Sequence, residues 1–240
     1  MPNLSVIIPI LDEKENLTIL SERLAQLSID GQFIFVDDGS KDGSRETISD
    51  LSKKDKRFIG ILNENRIGHM GSYLKGLEVA TAHHIVIMDG DMQHPPESLP
   101  KIQSLLSAGY DLVVGSRYNG RIFIGNRDKK RGLISRGAEF FLKLMVKECR
   151  GLSDPVSGFI GFRKSLRIPV TSVMRGNKLL PFLIVANPKI KVGYVLYQFS
   201  ERTVGKSKIV GSGNHFIRNY MMEVAEIRKV RRDIQGTLKK

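Results

Sequence analysis

The 240-residue chain is long enough for one large domain or one domain with appendages, and 41% hydrophobic residues can supply a core. Charged residues at 26% exclude wholesale disorder, and a single cysteine, Cys149, excludes an internal disulfide framework and points to a reducing compartment. No stretch approaches the roughly 18–20 apolar residues that span a bilayer. Met1-Pro2-Asn3-Leu4 offers no basic region ahead of its apolar run, so the sequence predicts a cytosolic protein.

The charge is divided by halves. Residues 1–115 carry a net −6 and residues 116–240 a net +19, together the +13 of the chain. An acidic half suits carboxylates that hold cations. A basic half suits an anion: nucleic acid, a phosphorylated small molecule or an acidic membrane surface.

In chain order, Leu4–Ile10 is a β-branched run stopped by polar residues from Asp12 to Asn16. Leu17, Leu20, Leu24 and Leu27 then recur at a helical period. Gln32–Val36 reads as a second strand, ending in the turn and cap chemistry of Asp37-Asp38-Gly39-Ser40. A helix over Ser44–Lys53, a strand at Phe58–Leu62, a helix near Ser72–Ala80 and a strand at His84–Met88 follow. After the polar loop Asp89–Glu97 come a helix to Ser107 and a strand at Asp111–Val114. Five strands alternating with helices predict an α/β fold with a mainly parallel central sheet and helices on both faces. The polar clusters at 12–16, 37–40 and 89–93 all follow strands, so they should gather at one rim, where such sheets bind ligands.

The basic half is looser. Arg117–Arg131 reads as a long loop, Gly132–Lys147 as a helix, and Gly151–Gly158 as a turn before an apolar segment. Lys191–Phe199 reads as a strand. The tail Asn214–Ile234 spaces Ile217, Met221, Val224, Ile227 and Val230 helically, with Arg228, Lys229, Arg231 and Arg232 beside them. That tail suits either a packed helix with a solvated basic face or an amphipathic helix on an anionic leaflet.

Asp89-Gly90-Asp91, with Gln93 two residues on, carries the most chemistry. Two aspartates at a strand end can hold a hard divalent cation, since Mg²⁺ takes one or two protein carboxylates plus substrate phosphates; the same residues also make an ordinary turn. Asp37-Asp38 suits a nucleobase or ribose, or a turn and helix cap. No P-loop and no dinucleotide fingerprint is present. His69, His83, His84 and His94 read as surface or capping residues, and Cys149 as inert packing. Arg117, Arg131, Ser135, Arg202 and Lys208 have the chemistry of a phosphate cradle, or of a solvated basic face. Few aromatics (7%, no Trp) argue against a nucleic-acid partner that relies on base stacking.

The stretches SVIIPILDEKENL (5–17), FVDDGSKDGS (35–44), IVIMDGDMQHPPE (85–97), DLVVGSRY (111–118), RGLISRGAEFF (131–141), DPVSGF (154–159) and ERTVGKSK (201–208) run in order along the chain. With them the sequence resembles the family 2 glycosyltransferases of GT-A fold, and within these the polyprenyl-phosphate sugar transferases of the dolichyl-phosphate mannose synthase type. It departs from their pattern at Leu11, where an aromatic is common, at Ile67-Gly68-His69-Met70, and over Asn177–Phe182, which lacks a Gln and Glu pattern.

The resemblance implies a catalytic unit over 1–210, with a nucleotide-sugar and metal half (1–115) and an acceptor-phosphate half (116–210), followed by a basic amphipathic helix over 211–240. It implies nucleotide contacts at Pro9, Leu11, Glu13, Val36 and Asp38, and Mg²⁺ or Mn²⁺ with the donor diphosphate at Asp89, Gly90, Asp91 and Gln93. Phosphate roles fall to Arg117, Arg131, Ser135, Arg202 and Lys208, and catalytic roles to Asp91, Arg117, Arg131 and Ser135. The implied reaction moves a sugar, GDP-mannose being the first candidate donor and UDP-glucose the second, onto a polyprenyl phosphate with inversion. A sugar hydroxyl is the alternative acceptor. The lipid acceptor implies peripheral contact with the cytosolic face of a membrane, directly or through a membrane-spanning partner subunit.

Overall fold

The computed structural model describes residues 2–119, 122–124, 129–169, 178–199 and 213–237. Strands β1 (Leu4–Ile10), β2 (Gly31–Asp37), β3 (Phe58–Leu62), β4 (His84–Ile87) and β5 (Leu112–Ser116) fall where the β-branched runs predict them. Between them lie α1 (Lys14–Ala25), α2 (Ser44–Lys54), α3 (Gly68–Val79) and α4 (Leu99–Ser107). α3 begins four residues before its predicted start because the Asp38 carboxylate accepts the N–H groups of Ile67 and Gly68 and so caps its first turn.

In the basic half, β6 (Tyr118–Asn119) and β7 (Ile122–Phe123) form a short antiparallel ladder inside the segment expected to be loop. Aromatic packing of Phe123 against Tyr118 and Phe199 accompanies the ladder. Helix α5 (Lys129–Met145), strand β8 (Ile160–Arg163), helix α6 (Leu180–Ala186), strand β9 (Val192–Leu196) and helix α7 (Gly213–Thr237) follow.

Seven strands form one sheet in the order β3-β2-β1-β4-β8-β5-β9. All pairs are parallel except those of β8, which runs antiparallel to both β4 and β5. Strict alternation along β1 assigns the two faces: Leu4, Val6, Ile8 and Ile10 join one core cluster and Ile7 the other. The first cluster includes residues of α1, α2 and α4, and the second residues of α3, α6 and α7. Pro9, a residue that cannot donate to a ladder, sits where β1 outruns its pairing with β4, which ends at Ile7.

The reversed direction of β8 matters for function. Its first residue, Ile160, pairs with Ile87 at the carboxyl end of β4. The residues leading into β8 therefore lie on the same rim as the residues following β1, β2, β4, β5 and β9.

From Val224 onward the apolar stripe of the C-terminal helix is not free for a lipid surface, while the side chain of Ile217 lies outside the described residues. Val224, Ile227, Val230 and Ile234 are buried in the cluster that contains Leu180, Phe182 and Leu183 of α6, and Arg231 meets Glu148 at 2.9 Å. Met221, counted in that stripe from its spacing, is instead 55% exposed. Ile227→Val should therefore cost about 1 kcal/mol in urea unfolding, while Met221→Ala should change stability by under about 0.5 kcal/mol.

Candidate active site

The loops after β1 and β2 are clamped together. Asp12, at φ 46°, donates its N–H to Ser40 Oγ and accepts the Lys41 N–H on its carboxylate. Glu13 N–H donates to Ser44 Oγ, and Asp42 accepts from Lys14 N–H and from both N–H and Oγ of Ser44. Glu13 Oε2 accepts the Asn16 side-chain amide at 2.6 Å. A non-glycine residue in the left-handed region costs about 1–2 kcal/mol, and this reciprocal bonding holds Asp12 there.

The two adjacent carboxylates after β2 have separate tasks. Asp37 is fully buried, accepts the N–H groups of Gly39 and Ser40, and pairs with Arg45 at 3.2 Å. Asp38 holds the start of α3 as described. Val36, an expected nucleotide contact, is fully buried within β2 between β1 and β3, so its side chain belongs to the core. Pro9 and Leu11 are half-buried beside this loop pair.

Asp89-Gly90-Asp91 follows β4 and abuts the end of β1. A Cβ on Gly90 would meet the Ile10 side chain and the Pro9 carbonyl, so close approach requires glycine there. Met92 is held at φ 65° with its side chain buried, while Asp91 Oδ1 accepts the Gln93 N–H. Asp91 is 5% exposed, whereas the Asp89 side chain is 31% exposed.

His94 is not a surface residue. It is buried, its ring stacks on Phe159 at 5.0 Å and meets Tyr197 edge-on, and Nδ1 accepts the Asp89 N–H at 2.9 Å. Burial pushes its pKa down to about 4. The ring is therefore neutral at pH 7, with the proton on Nε2, and it fixes the backbone from which Asp89 projects.

Arg117, just after β5, reaches Asp154, which stands six residues before β8. The pair is bidentate, Nε to Oδ2 at 2.7 Å and Nη2 to Oδ1 at 2.8 Å, with the side chains 11% and 0% exposed. Burial opposes the Arg117 charge, but the hydrogen-bonded Asp154 carboxylate more than offsets this and holds the guanidinium above its ordinary pKa. The guanidinium also lies 5.6 Å from the Phe199 ring centre. Arg117 is thus a buried partner of Asp154, with Nε and Nη2 engaged by the carboxylate.

Ser135 lies half-buried on α5. Arg131 lies on the same helix with its side chain outside the described residues, and Arg202 and Lys208 lie outside them altogether. The expected cradle is therefore represented, among the described residues, by the Arg117–Asp154 pair and Ser135.

Three further groups at the rim were not singled out from the sequence. The Tyr197 hydroxyl, just beyond β9, is buried without a hydrogen-bond partner, and burial raises its pKa, as do the nearby Asp154, Asp89 and Asp91 carboxylates. Lys178 precedes α6, and Glu223 of α7 accepts its main-chain N–H at 3.3 Å. Burial pushes the Glu223 carboxyl up to about 7, with Lys178 pulling the other way. The folded protein then keeps a proton that an unfolded carboxyl, near 4.5, has released. Stability should fall as pH rises from about 4.5 to about 7 and level off above that window. Glu223→Gln should accordingly gain about 3 kcal/mol on the wild type between pH 4.5 and 8 in urea unfolding; a constant difference across that range would contradict the assignment.

Asp89, Asp91, Lys178, His94, Tyr197 and the Arg117–Asp154 pair occupy one rim of the sheet. Among the described residues no group of three or more His, Cys, Asp and Glu side chains forms a metal site. Two carboxylates fit a cation whose remaining ligands come from substrate phosphates and water, and Gly158 lies beside Asp89: a Cβ there would lie 3.5 Å from Asp89 Oδ2.

A mostly parallel sheet with one reversed strand, an acidic turn after its fourth strand and helices on both faces defines a GT-A glycosyltransferase fold. Residues 5–168 match the sequence family described as Glycosyl transferase family 2, and the chain belongs to that family. It is 32% identical over 237 residues to the dolichol-phosphate mannosyltransferase of Pyrococcus furiosus, covering 98% of this chain and 66% of that protein. It is also 32% identical over 236 residues to the Saccharomyces cerevisiae enzyme of the same name, covering 93% of this chain and 86% of that one. Among solved structures, glucosyl-3-phosphoglycerate synthase of Mycobacterium tuberculosis, in complex with Mn²⁺, UDP-glucose and phosphoglyceric acid, superposes with a TM-score of 0.70. That match covers 96% of this chain and 80% of the other at 14% identity, so it speaks to the fold.

Proposed function

We propose that this chain transfers mannose from GDP-mannose to the phosphate of a polyprenyl phosphate, inverting the anomeric centre. The observation that carries this reading is the placement of the Asp89/Asp91 turn beside the Lys178 ammonium on one rim, in a chain whose relatives are named dolichol-phosphate mannosyltransferase. A nucleotide sugar brings a diphosphate and the acceptor a phosphate, so the rim must hold two anions together. Asp89 and Asp91 would hold Mg²⁺ or Mn²⁺ with the donor diphosphate, and that cation would neutralise charge on the departing group. The acceptor phosphate, with a second pKa near about 6, is already largely an oxyanion at neutral pH. One of its oxygens attacks C1 of the sugar as the bond from C1 to the diphosphate oxygen breaks, and the nucleoside diphosphate leaves. No proton has to be removed.

His94 maintains the turn, and the buried Arg117–Asp154 pair gives the rim its rigid floor. Positioning and charge then carry the reaction. The lipid tail of the acceptor requires contact with a membrane surface. No helix among the described residues is long and apolar enough to cross a bilayer. With the apolar face of α7 committed to the core from Val224 onward, contact falls to other surface or to a membrane-spanning partner.

The test is incubation with GDP-mannose or UDP-glucose and a short polyprenyl phosphate, with and without Mn²⁺. Lipid-extractable mannose that requires the metal supports the reading; its absence with every donor overturns it. A second reading, transfer to a sugar hydroxyl, needs a carboxylate base. Transfer to an oligosaccharide but not to the lipid phosphate would select that alternative.

Gly158→Ala supplies a sharper local test. The added methyl would sit 3.4 Å from Lys178 Nζ, 3.5 Å from Asp89 Oδ2 and 3.6 Å from His94 Cε1, all ordinary contacts. The melting temperature should stay within about 2 °C, as a change under about 0.5 kcal/mol implies, while KM for the donor rises about tenfold. An unchanged KM would mean that the donor does not occupy the space above Asp89.

A further inference from the structure

Lys178 precedes α6, in a segment where the chain departs from the family pattern, and its ammonium reaches the rim. The point at which a Gly158 side chain would begin lies 3.4 Å from Lys178 Nζ, 3.5 Å from Asp89 Oδ2 and 3.6 Å from the His94 ring. The ammonium, the Asp89 carboxylate and the His94 ring therefore converge on one point beside the Cα of Gly158. Glu223 does not neutralise this lysine head-on: its carboxylate takes the main-chain N–H of Lys178, not the ammonium. That bond ties the start of α6 to α7, whose own apolar face is packed into the core from Val224 to Ile234. The backbone of Lys178 is thus fixed from behind while its side chain extends forward.

Arg117 is held bidentately by Asp154, so it brings no net charge to the rim. Lys178 brings a positive charge beside Asp89, and Glu223, which feels that charge, spends its hydrogen bond on the main chain. A compact ammonium on a flexible stem binds phosphate as a point charge and needs no planar match.

We propose that Lys178, positioned by Glu223 through its main chain, is a phosphate-binding residue of this site, contacting a phosphate oxygen above Asp89. This rests on the reading of the rim as a site for phosphorylated substrates. The phosphate can come from the donor diphosphate or from the lipid acceptor, and position beside Asp89 favours the donor. The ammonium would supply positive charge next to Asp89 independently of any divalent ion, so its contribution should persist when metal is removed.

The experiment is calorimetric titration of GDP into the full chain, wild type and Lys178→Met, in EDTA and again with Mn²⁺, alongside steady-state KM values for both substrates. Lys178→Gln serves as a second neutral variant, and thermal melting verifies that each is folded. A rise in the GDP Kd of about tenfold or more in EDTA, with an unchanged acceptor KM, supports the proposal with the donor as source. An unchanged GDP Kd with a tenfold rise in the polyprenyl-phosphate KM supports it with the acceptor as source. Lys178→Arg should recover part of either loss. Values within twofold of wild type for both substrates overturn the proposal while leaving the proposed function standing. A wild-type chain that binds no GDP overturns both.

Discussion

Asp154→Ala is expected to destabilise the protein by about 3–5 kcal/mol, the range for removing one partner of a buried ion pair. The substitution removes both acceptors of the bidentate contact and leaves the Arg117 guanidinium, only 11% exposed, without its counter-charge. A histidine or lysine in that position could lose its proton. Arginine cannot, with a pKa above about 12, so the full cost of a buried unpaired charge remains. For a chain of this size about 1 kcal/mol corresponds to roughly 2–4 °C, so the melting temperature should fall by about 10 °C. The double substitution Arg117→Met with Asp154→Leu should recover most of that loss, because exchanging the whole pair for apolar groups removes the penalty. Urea unfolding of the three proteins measures both effects. A loss under about 1 kcal/mol for Asp154→Ala would show that water reaches the guanidinium and that the pair is not a rigid floor.

The pair also illustrates what could be read in advance. Arg117 and Asp154 both fall in stretches that mark the family resemblance, yet nothing local says that they meet. Their contact depends on β8 running against its neighbours, which brings the residues before Ile160 to the carboxyl ends of β4 and β5. β8 itself was hard to see: four residues, Ile160–Arg163, with three of them buried and no turn signal of their own. α6 escaped for a related reason. All seven of its residues are buried, so it has no polar face and hence no helical period. By contrast, the first five strands were legible because each is a β-branched run closed by polar turn residues, and the clustering of their loops follows from parallel topology alone.

His94 shows the same limit at one residue. Its neighbours Gln93 and Pro95 suggest an exposed loop, but Phe159 and Tyr197 close over its ring from two distant strands' ends. Lys178 and Glu223 could not have been linked from sequence either, since 45 residues separate them and the bond uses a main-chain N–H. What the residues did reveal was the acidic turn, because two aspartates around a glycine after a buried strand need little tertiary context to be recognised.

Asp91→Asn tests that turn directly. The amide oxygen can still accept the Gln93 N–H that Asp91 Oδ1 receives at 3.2 Å, and the side chain keeps its size in a site only 5% exposed. Folding should therefore survive, with a melting temperature within about 3 °C of the wild type, since about 1 kcal/mol or less is at stake. One negative charge is gone, however, and with it half of the carboxylate pair that would seat the divalent cation against the diphosphate. Loss of one preorganised electrostatic contact costs about 10²–10³ in rate. Mannose transfer to polyprenyl phosphate should fall by at least that factor at fixed Mn²⁺. Raising Mn²⁺ should restore part of it, since the variant retains Asp89 and is weakened in metal affinity as well as in charge. Asp89→Asn should show the same metal-dependent recovery, because the two carboxylates act on one ion. Transfer by Asp91→Asn within fivefold of wild type at the same limiting Mn²⁺ would mean that the departing diphosphate is neutralised without this turn, and the assignment of the rim would have to be abandoned.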